Sequence, residues 1–169
     1  MTSVSTSQSL SRTELIRGRR SAEPARLRPP FALAEPDFLA TCTRCDACLT
    51  ACPEGIVRRD RDGLPMLDFS GGECSFCGDC LAACEPEALS RTHGRPWQAT
   101  AAIGTACLAL EGVVCRLCEE ACEPRAIRFA ARVGAAPVPA VDHALCSGCG
   151  ACVGACPAAA IAVTERTAA

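Results

Sequence analysis

Along this chain a short apolar clump recurs after the proline that follows each cysteine run, and no clump is long. Gly55-Ile56-Val57 follows Pro53, and Ala88-Leu89 follows Pro86. Ala126-Ile127-Arg128-Phe129 follows Pro124, and Ala160-Ile161-Ala162-Val163 follows Pro157. Each clump is small or β-branched and is preceded by a cysteine-rich stretch. The repeating pattern predicts a cysteine loop, one helical turn, a proline turn and a short strand. Proline suits the turn because its φ is preset and it donates no hydrogen bond. Gly63-Leu64-Pro65 and Gly134 to Pro139 read as turns between short strands. The strands are too short and too few for a sandwich, so the fold class expected is α+β, with short strands and short helices. No apolar run nears the roughly 18 residues of a membrane span, and the chain is not expected to be an integral membrane protein.

The cysteines give the pattern its period. Three stretches have the spacing C-x2-C-x2-C-x3-C: Cys42, Cys45, Cys48, Cys52; then Cys74, Cys77, Cys80, Cys84; and finally Cys146, Cys149, Cys152, Cys156. A fourth stretch is altered. Cys115, Cys118 and Cys122 keep the second half of the spacing, Gly112 stands where the first cysteine belongs, and Cys107 is the one cysteine left to replace it. Residues 1–30, ending in Pro29-Pro30, read as an extended arm. A first module is expected over 31–98 and a second over 99–169, with a soft boundary near 91–104.

Composition sharpens this picture. Of 169 residues, 16 are cysteine, so the redox compartment has to be decided. Met1 to Leu10 is Ser/Thr-rich without the apolar run of a secretory signal. Arg19-Arg20 invites a twin-arginine reading, but Ser21 to Arg26 supplies no apolar stretch. A reducing, cytoplasmic setting is therefore expected, and there clustered cysteines are more often metal ligands than disulfides. The hydrophobic fraction of 49% is mostly Ala and Cys, and aromatic residues are only 4%, so the apolar core should be thin. Bound inorganic clusters would fill and cross-link it.

Charge is uneven. Residues 1–30 carry Arg12, Arg17, Arg19, Arg20, Arg26 and Arg28 against Glu14 and Glu23, while the rest of the chain is acidic. The arm reads either as a solvated tail or as a docking arm for an acidic partner. The acidic body argues against nucleic acid.

The spacing C-x2-C-x2-C-x3-C-P is that of bacterial [4Fe–4S] ferredoxins, whose fourth cysteine ligates the other cluster of a pair. Three cysteines at two-residue gaps wrap one face of a cubane, and the fourth points away on the next helical turn. Small loop residues such as Ala47, Gly78, Gly148 and Gly150 let backbone N–H groups approach the sulfurs, which tunes the potential. One cluster is then expected on Cys42, Cys45, Cys48 and Cys84, and a second on Cys74, Cys77, Cys80 and Cys52. A third would use Cys146, Cys149, Cys152 and Cys122. The last would use Cys115, Cys118, Cys156 and Cys107. That gives four clusters, and at least three if the altered unit has decayed and its cysteines only pack as small hydrophobes.

Zinc fits less well, because each run carries a third and a fourth cysteine in register, and neither His93 nor His143 falls in a run. Both histidines read as surface or turn residues. Trp97 reads as packing between the halves, and Phe76 as a shield over its loop. Glu119, Glu120 and Glu123 read as a solvated acidic rim. There is no nucleophile–base arrangement, no phosphate loop and no flavin or nicotinamide fingerprint. With four cysteines per cluster, no iron is left open for a substrate. An enzyme is not expected; electron transfer or cluster handling is.

Several segments resemble the NapF family of ferredoxin-type accessory proteins, which accompany periplasmic nitrate reductase. They are Cys42-Thr43-Arg44-Cys45-Asp46-Ala47-Cys48, Glu73-Cys74-Ser75-Phe76-Cys77, Ile103-Gly104-Thr105-Ala106-Cys107-Leu108-Ala109, Cys115-Arg116-Leu117-Cys118, Cys122-Glu123-Pro124-Arg125-Ala126-Ile127 and Leu145-Cys146-Ser147-Gly148-Cys149-Gly150-Ala151-Cys152. The altered third unit and the arm running into Pro29-Pro30-Phe31 are similar too. The resemblance supports Cys107 as a ligand. It implies a cytoplasmic protein that binds the catalytic subunit of that reductase, in precursor form, and assists its maturation before export. An electron carrier feeding a redox partner or the quinone pool is the alternative.

Overall fold

The computed structural model describes residues 26–94 and 97–165. The expected α+β architecture is present: short helices and two-stranded sheets surround the cysteines. Helix α1 spans Glu35–Thr41, and α2 spans Ala47–Ala51. Strands β1 (Val57–Arg59) and β2 (Pro65–Leu67) form a hairpin, followed by α3 (Asp79–Ala82). The second half holds β3 (Ala99–Ile103), α4 (Leu117–Glu120), β4 (Ile127–Arg132), β5 (Ala135–Val141), α5 (Ala151–Gly154) and β6 (Ile161–Glu165). The single helical turns before the fourth cysteines are thus α2, α3, α4 and α5.

Each half closes its own start onto its own end. In the second half β3 pairs antiparallel with β6, from Ala99 opposite Glu165 to Ile103 opposite Ile161. In the first half the closure shrinks to a single antiparallel bridge between Ala32 and Leu89. Between these closures lie the hairpins β1–β2, with Val57 opposite Leu67, and β4–β5, with Ile127 opposite Val141.

The sequence reading differs from the structure at a turn, a helix and the arm, and it also has no strand at β3. The turn expected over Gly134 to Pro139 is confined to Val133-Gly134, and Pro137 and Pro139 lie within β5. A two-stranded sheet explains this, because a strand with an open edge tolerates proline's missing N–H. Helix α1 has no counterpart in the sequence reading; Pro36 in its first turn and Glu35 and Asp37 beside it favour its start. The arm is also shorter than residues 1–30. Leu27, Arg28 and Pro29 are buried in the first half, and Leu67 N–H donates to the Leu27 carbonyl at 2.8 Å. Residues 1–25 of the arm lie outside the described residues.

Arg28 explains why the chain is held there. Its guanidinium donates to Glu35 at 2.7 Å, to Asp60 at 2.9 Å and to the Pro65 carbonyl at 2.9 Å, and it stacks over the Phe38 ring at 5.0 Å. All of these partners lie in the first half, so the residue acts as part of its core.

The apolar core is thin, as composition suggests, and the cysteines belong to it. One cluster gathers Phe38, Ile56, Leu64, Leu67, Phe69 and Leu89 with Cys48; it reaches across to Ala99 and Val163 of the second half. Another gathers Ala101, Ile127 and Ile161 with Cys118 and Cys152.

Candidate iron–sulfur centres

The sixteen cysteines are all free thiols, and they gather in four groups. Cys42, Cys45, Cys48 and Cys84 line one cavity under α1. Cys52, Cys74, Cys77 and Cys80 line a second, of about 190 Å³, which extends alongside Phe31, Phe76, Arg91 and Trp97. Cys122, Cys146, Cys149 and Cys152 line a third. The remaining group is seen from Cys118, whose thiol is raised, after burial, by the neighbouring Cys107, Cys115 and Cys156. Each group therefore takes three cysteines from one loop and one from the fourth position of the companion loop. In the altered unit, Cys107 stands where the missing cysteine of the loop would.

Three of the third cysteines, Cys48, Cys118 and Cys152, are buried, while Cys80 is half-buried. Burial, followed by the neighbouring Cys84 and Cys42, pushes the Cys48 thiol up to about 12. The thiols of Cys80 and Cys118 are pushed up to about 11 and that of Cys152 to about 12, again chiefly by burial. Such thiols make poor free nucleophiles, since it is the thiolate that reacts. A positive metal centre bound by thiolates reverses that cost, because ligation requires the proton to leave.

Backbone N–H groups aim at the sulfurs. Ala126 donates to Cys122 Sγ at 3.2 Å, and Ala160 to Cys156 Sγ at 3.3 Å. Leu89 donates to Cys84 Sγ and Ala101 to Cys146 Sγ, each at 3.4 Å. Among the described residues no three His, Cys, Asp or Glu are drawn together tightly enough for a single ion. Thiols at the corners of a cubane stand further apart than the ligands of one ion. Four thiols per group, with N–H donors to sulfur in three of the four groups, fit [4Fe–4S] clusters in donor chemistry and in number.

Two backbone regularities underlie the groups, and only one survives in the altered unit. Three residues after every fourth cysteine the chain turns left-handed: Gly55 (φ 60°), Glu87 (59°), Arg125 (53°) and Ala159 (46°). At each of these the N–H closes a turn onto the carbonyl of the fourth cysteine, at 2.9 to 3.1 Å. After three of these turns a following N–H meets the sulfur, from Leu89, Ala126 and Ala160. The regular loops are also left-handed two and four residues after their first cysteine, at Arg44 and Asp46, Phe76 and Gly78, and Gly148 and Gly150. In the altered unit Arg116 takes φ −134° instead, so that loop winds differently while its exit turn is kept. An L-residue in the left-handed region costs about 1–2 kcal/mol, and glycine gives back about 0.5–1 through its looser unfolded chain. Ala159→Gly is therefore expected to stabilise by about 0.5–1 kcal/mol, read as a raised midpoint for thermal loss of visible absorption.

His93 and His143 are exposed, and His143 Nδ1 lies 2.9 Å from Thr100 Oγ1. Trp97 meets Phe76 edge to face at 6.2 Å, and its indole N–H donates to the Ser147 carbonyl at 2.7 Å, so it does pack between the halves. Phe76 lines the second cavity but is 44% exposed, a partial shield. Glu120 and Glu123 are exposed, while Glu119 accepts from Arg116 and from Phe129 N–H. Sequence reading missed the apolar rim of the altered unit: Leu110, Val113, Val114 and Leu117 are all about half exposed or more.

Comparison with known proteins agrees with the geometry. Residues 41–89 match one family described as a 4Fe-4S dicluster domain, and residues 113–160 match a second with the same description. Fold and cysteine groups together define a double dicluster ferredoxin-type iron–sulfur protein, with capacity for up to four [4Fe–4S] clusters. Ferredoxin-type protein NapF of Escherichia coli is 42% identical over 151 residues, covering 89% of this chain and 92% of that one. NapF of Haemophilus influenzae is 35% identical, over 82% of this chain and 79% of its own. Methylamine utilization ferredoxin-type protein MauM of Methylorubrum extorquens is 31% identical, over 85% and 73%. The chain belongs to the NapF family of ferredoxin-type proteins.

Proposed function

We propose that this chain binds the catalytic subunit of periplasmic nitrate reductase in the cytoplasm and assists its maturation, including its iron–sulfur cluster, before export. Similarity to NapF along nearly the whole chain carries this reading. It is consistent with a chain that is all cofactor scaffold: the described helices include none long and apolar enough to cross a membrane. No enzyme activity of its own is assigned; the protein handles electrons or clusters for another. Deleting its gene is expected to leave the reductase poor in iron and poorly active. Reductase that is fully active and cluster-replete in the deletion strain overturns the reading.

The ligand sets belong to the same proposal. They are Cys42, Cys45, Cys48 with Cys84; Cys74, Cys77, Cys80 with Cys52; Cys146, Cys149, Cys152 with Cys122; and Cys107, Cys115, Cys118 with Cys156. The first module takes residues 31–98 together with the packed 26–30, and the second takes 99–169. The crossed sets make a distinctive prediction. Cys52→Ser should alter the electron paramagnetic resonance (EPR) signal of the centre on the Cys74 loop and spare that on the Cys42 loop, although Cys52 belongs to the first run. The opposite pattern would sink the crossing.

A second reading, electron transfer to a redox partner or quinone pool, draws on two observations. The similar MauM protein carries a name tied to methylamine utilization. Cys45 and Cys77 are exposed, which brings two centres to the surface where electrons can be exchanged directly. Normal reductase in the deletion strain, together with altered quinone-linked reduction, would favour it.

A further inference from the structure

The two halves touch at a place that the cysteine repeat does not mark. The Cys74 loop of the first half lies against the Cys146 loop of the second. Cys74 N–H donates to the Cys149 carbonyl at 2.7 Å. These two cysteines belong to different groups and different halves, so one hydrogen bond links the backbones of two members of the proposed ligand sets. The path from sulfur to sulfur then runs only through the two cysteines and that bond.

Two further contacts hold the loops in this position. Trp97 spans them, with its ring edge-on to Phe76 of one loop and its indole N–H on the Ser147 carbonyl of the other. Phe69, just before the Cys74 loop, fills the hollow over Gly150, so closely that a Cβ there would sit 2.1 Å from the ring. The ring is buried, at 6% exposure, and belongs to the core cluster that also takes in Ala99 and Val163. Backbone, indole and ring contacts from separate residues thus fix one loop against the other.

We propose that this junction carries electrons between the halves, so that the chain works as one relay of four centres and not as two independent ferredoxins. The inference rests on the ligand sets proposed above. Within each half the crossed fourth cysteines already interlock two centres. The Cys74–Cys149 contact joins the halves through their inner members. One electron passes from the centre held by Cys52, Cys74, Cys77 and Cys80, which is oxidised by one electron, to that held by Cys122, Cys146, Cys149 and Cys152, which is reduced by one. No proton moves and no bond changes. The electron enters from an external one-electron donor. The ends of the relay are the exposed Cys45 group and the altered Cys107 group, which places the departure from the regular spacing at a terminus.

The test uses the full chain with its clusters, reduced anaerobically by less than one electron per four centres and frozen at successive times for EPR. A connected relay reaches its final lineshape in one phase whose rate is the same at low and high protein concentration. A second, slower phase whose rate rises with protein concentration overturns the proposal, since electrons then cross only by collision between molecules. Trp97→Phe keeps the ring and removes the Ser147 hydrogen bond. It is expected to lose the single-phase behaviour with iron content unchanged; an unaltered pattern overturns the role given to this side chain. Iron and sulfide analysis separates the two failures. A full complement with two-phase kinetics sinks the junction alone, while a missing inner centre sinks the ligand sets as well.

Discussion

Arg28→Ala is expected to destabilise the protein by about 3–5 kcal/mol, the cost of removing one member of a buried ion pair. Arg28 is 5% exposed, and the side chain of its partner Asp60 is 2% exposed. With Arg28 gone, Asp60 keeps the N–H groups of Asp62 and Leu64, each at 2.9 Å, but loses its buried counter-charge. Phe38 loses the guanidinium that covers its ring, and the Pro65 carbonyl loses a donor. Arg26 offers an internal control. It also reaches Asp60 and Asp62, but its side chain is 31% exposed, so Arg26→Ala should cost no more than about 1 kcal/mol. Anaerobic denaturation followed by visible absorption and Trp97 emission reads both. The pH dependence has a definite sign. Burial alone would raise the Asp60 carboxyl, but the Leu64 N–H, Arg28 and the Asp62 N–H outweigh it and hold the group below its ordinary value. A depressed carboxylate contributes its stability fully above the ordinary carboxylate range and loses it as pH falls through the folded value. The gap between wild type and Arg28→Ala should therefore be widest near neutrality and narrow in acid.

Arg28 also shows where the sequence stops being legible. The cysteine runs were readable because their cysteines are a few residues apart, so the spacing encodes the loop; the crossed grouping of fourth cysteines follows from the same local turn. Arg28 reads as one of six arginines in a basic tail because, Glu35 apart, its partners Asp60 and Pro65 lie more than thirty residues away and nothing local announces them. Strand β3 was missed for a similar reason. Ala99–Ile103 carries little strand signal by itself, and it forms because β6, far along the chain, closes on it. The left-handed turn after each fourth cysteine was hidden in another way. Only Gly55 marks it by composition; Glu87, Arg125 and Ala159 adopt the same φ under the constraint of the turn. The junction between halves was half visible. Trp97 could be read as packing between them, but the residues it joins could not, since Ser147 looks like any loop serine.

Gly150→Ala is expected to be among the most damaging changes outside the cysteines and Arg28, and to act through that junction. Gly150 precedes α5 with φ 88° and ψ −2°. A β-carbon there costs about 1–2 kcal/mol in the left-handed region. It would also lie 2.1 to 2.7 Å from three atoms of the Phe69 ring, which adds about 1–3 kcal/mol of overpacking. Phe69 is buried in the core, so relief must come from loop moving away from loop, and the Cys74–Cys149 hydrogen bond should loosen with it. Gly78 separates the two costs. It occupies the corresponding place in the Cys74 loop with φ 85°, but a β-carbon there meets only the tip of the Arg91 side chain, at 3.3 Å. Gly78→Ala should therefore carry the conformational strain of about 1–2 kcal/mol and little else. Thermal loss of visible absorption compares the two variants, and the double variant Phe69→Ala/Gly150→Ala completes a cycle. If the clash is the cause, the double variant loses less than the sum of the single ones, because truncating the Phe69 ring leaves room for the new methyl group. Strict additivity would place the damage in the backbone of the Cys146 loop and leave Phe69 no part in holding the halves together.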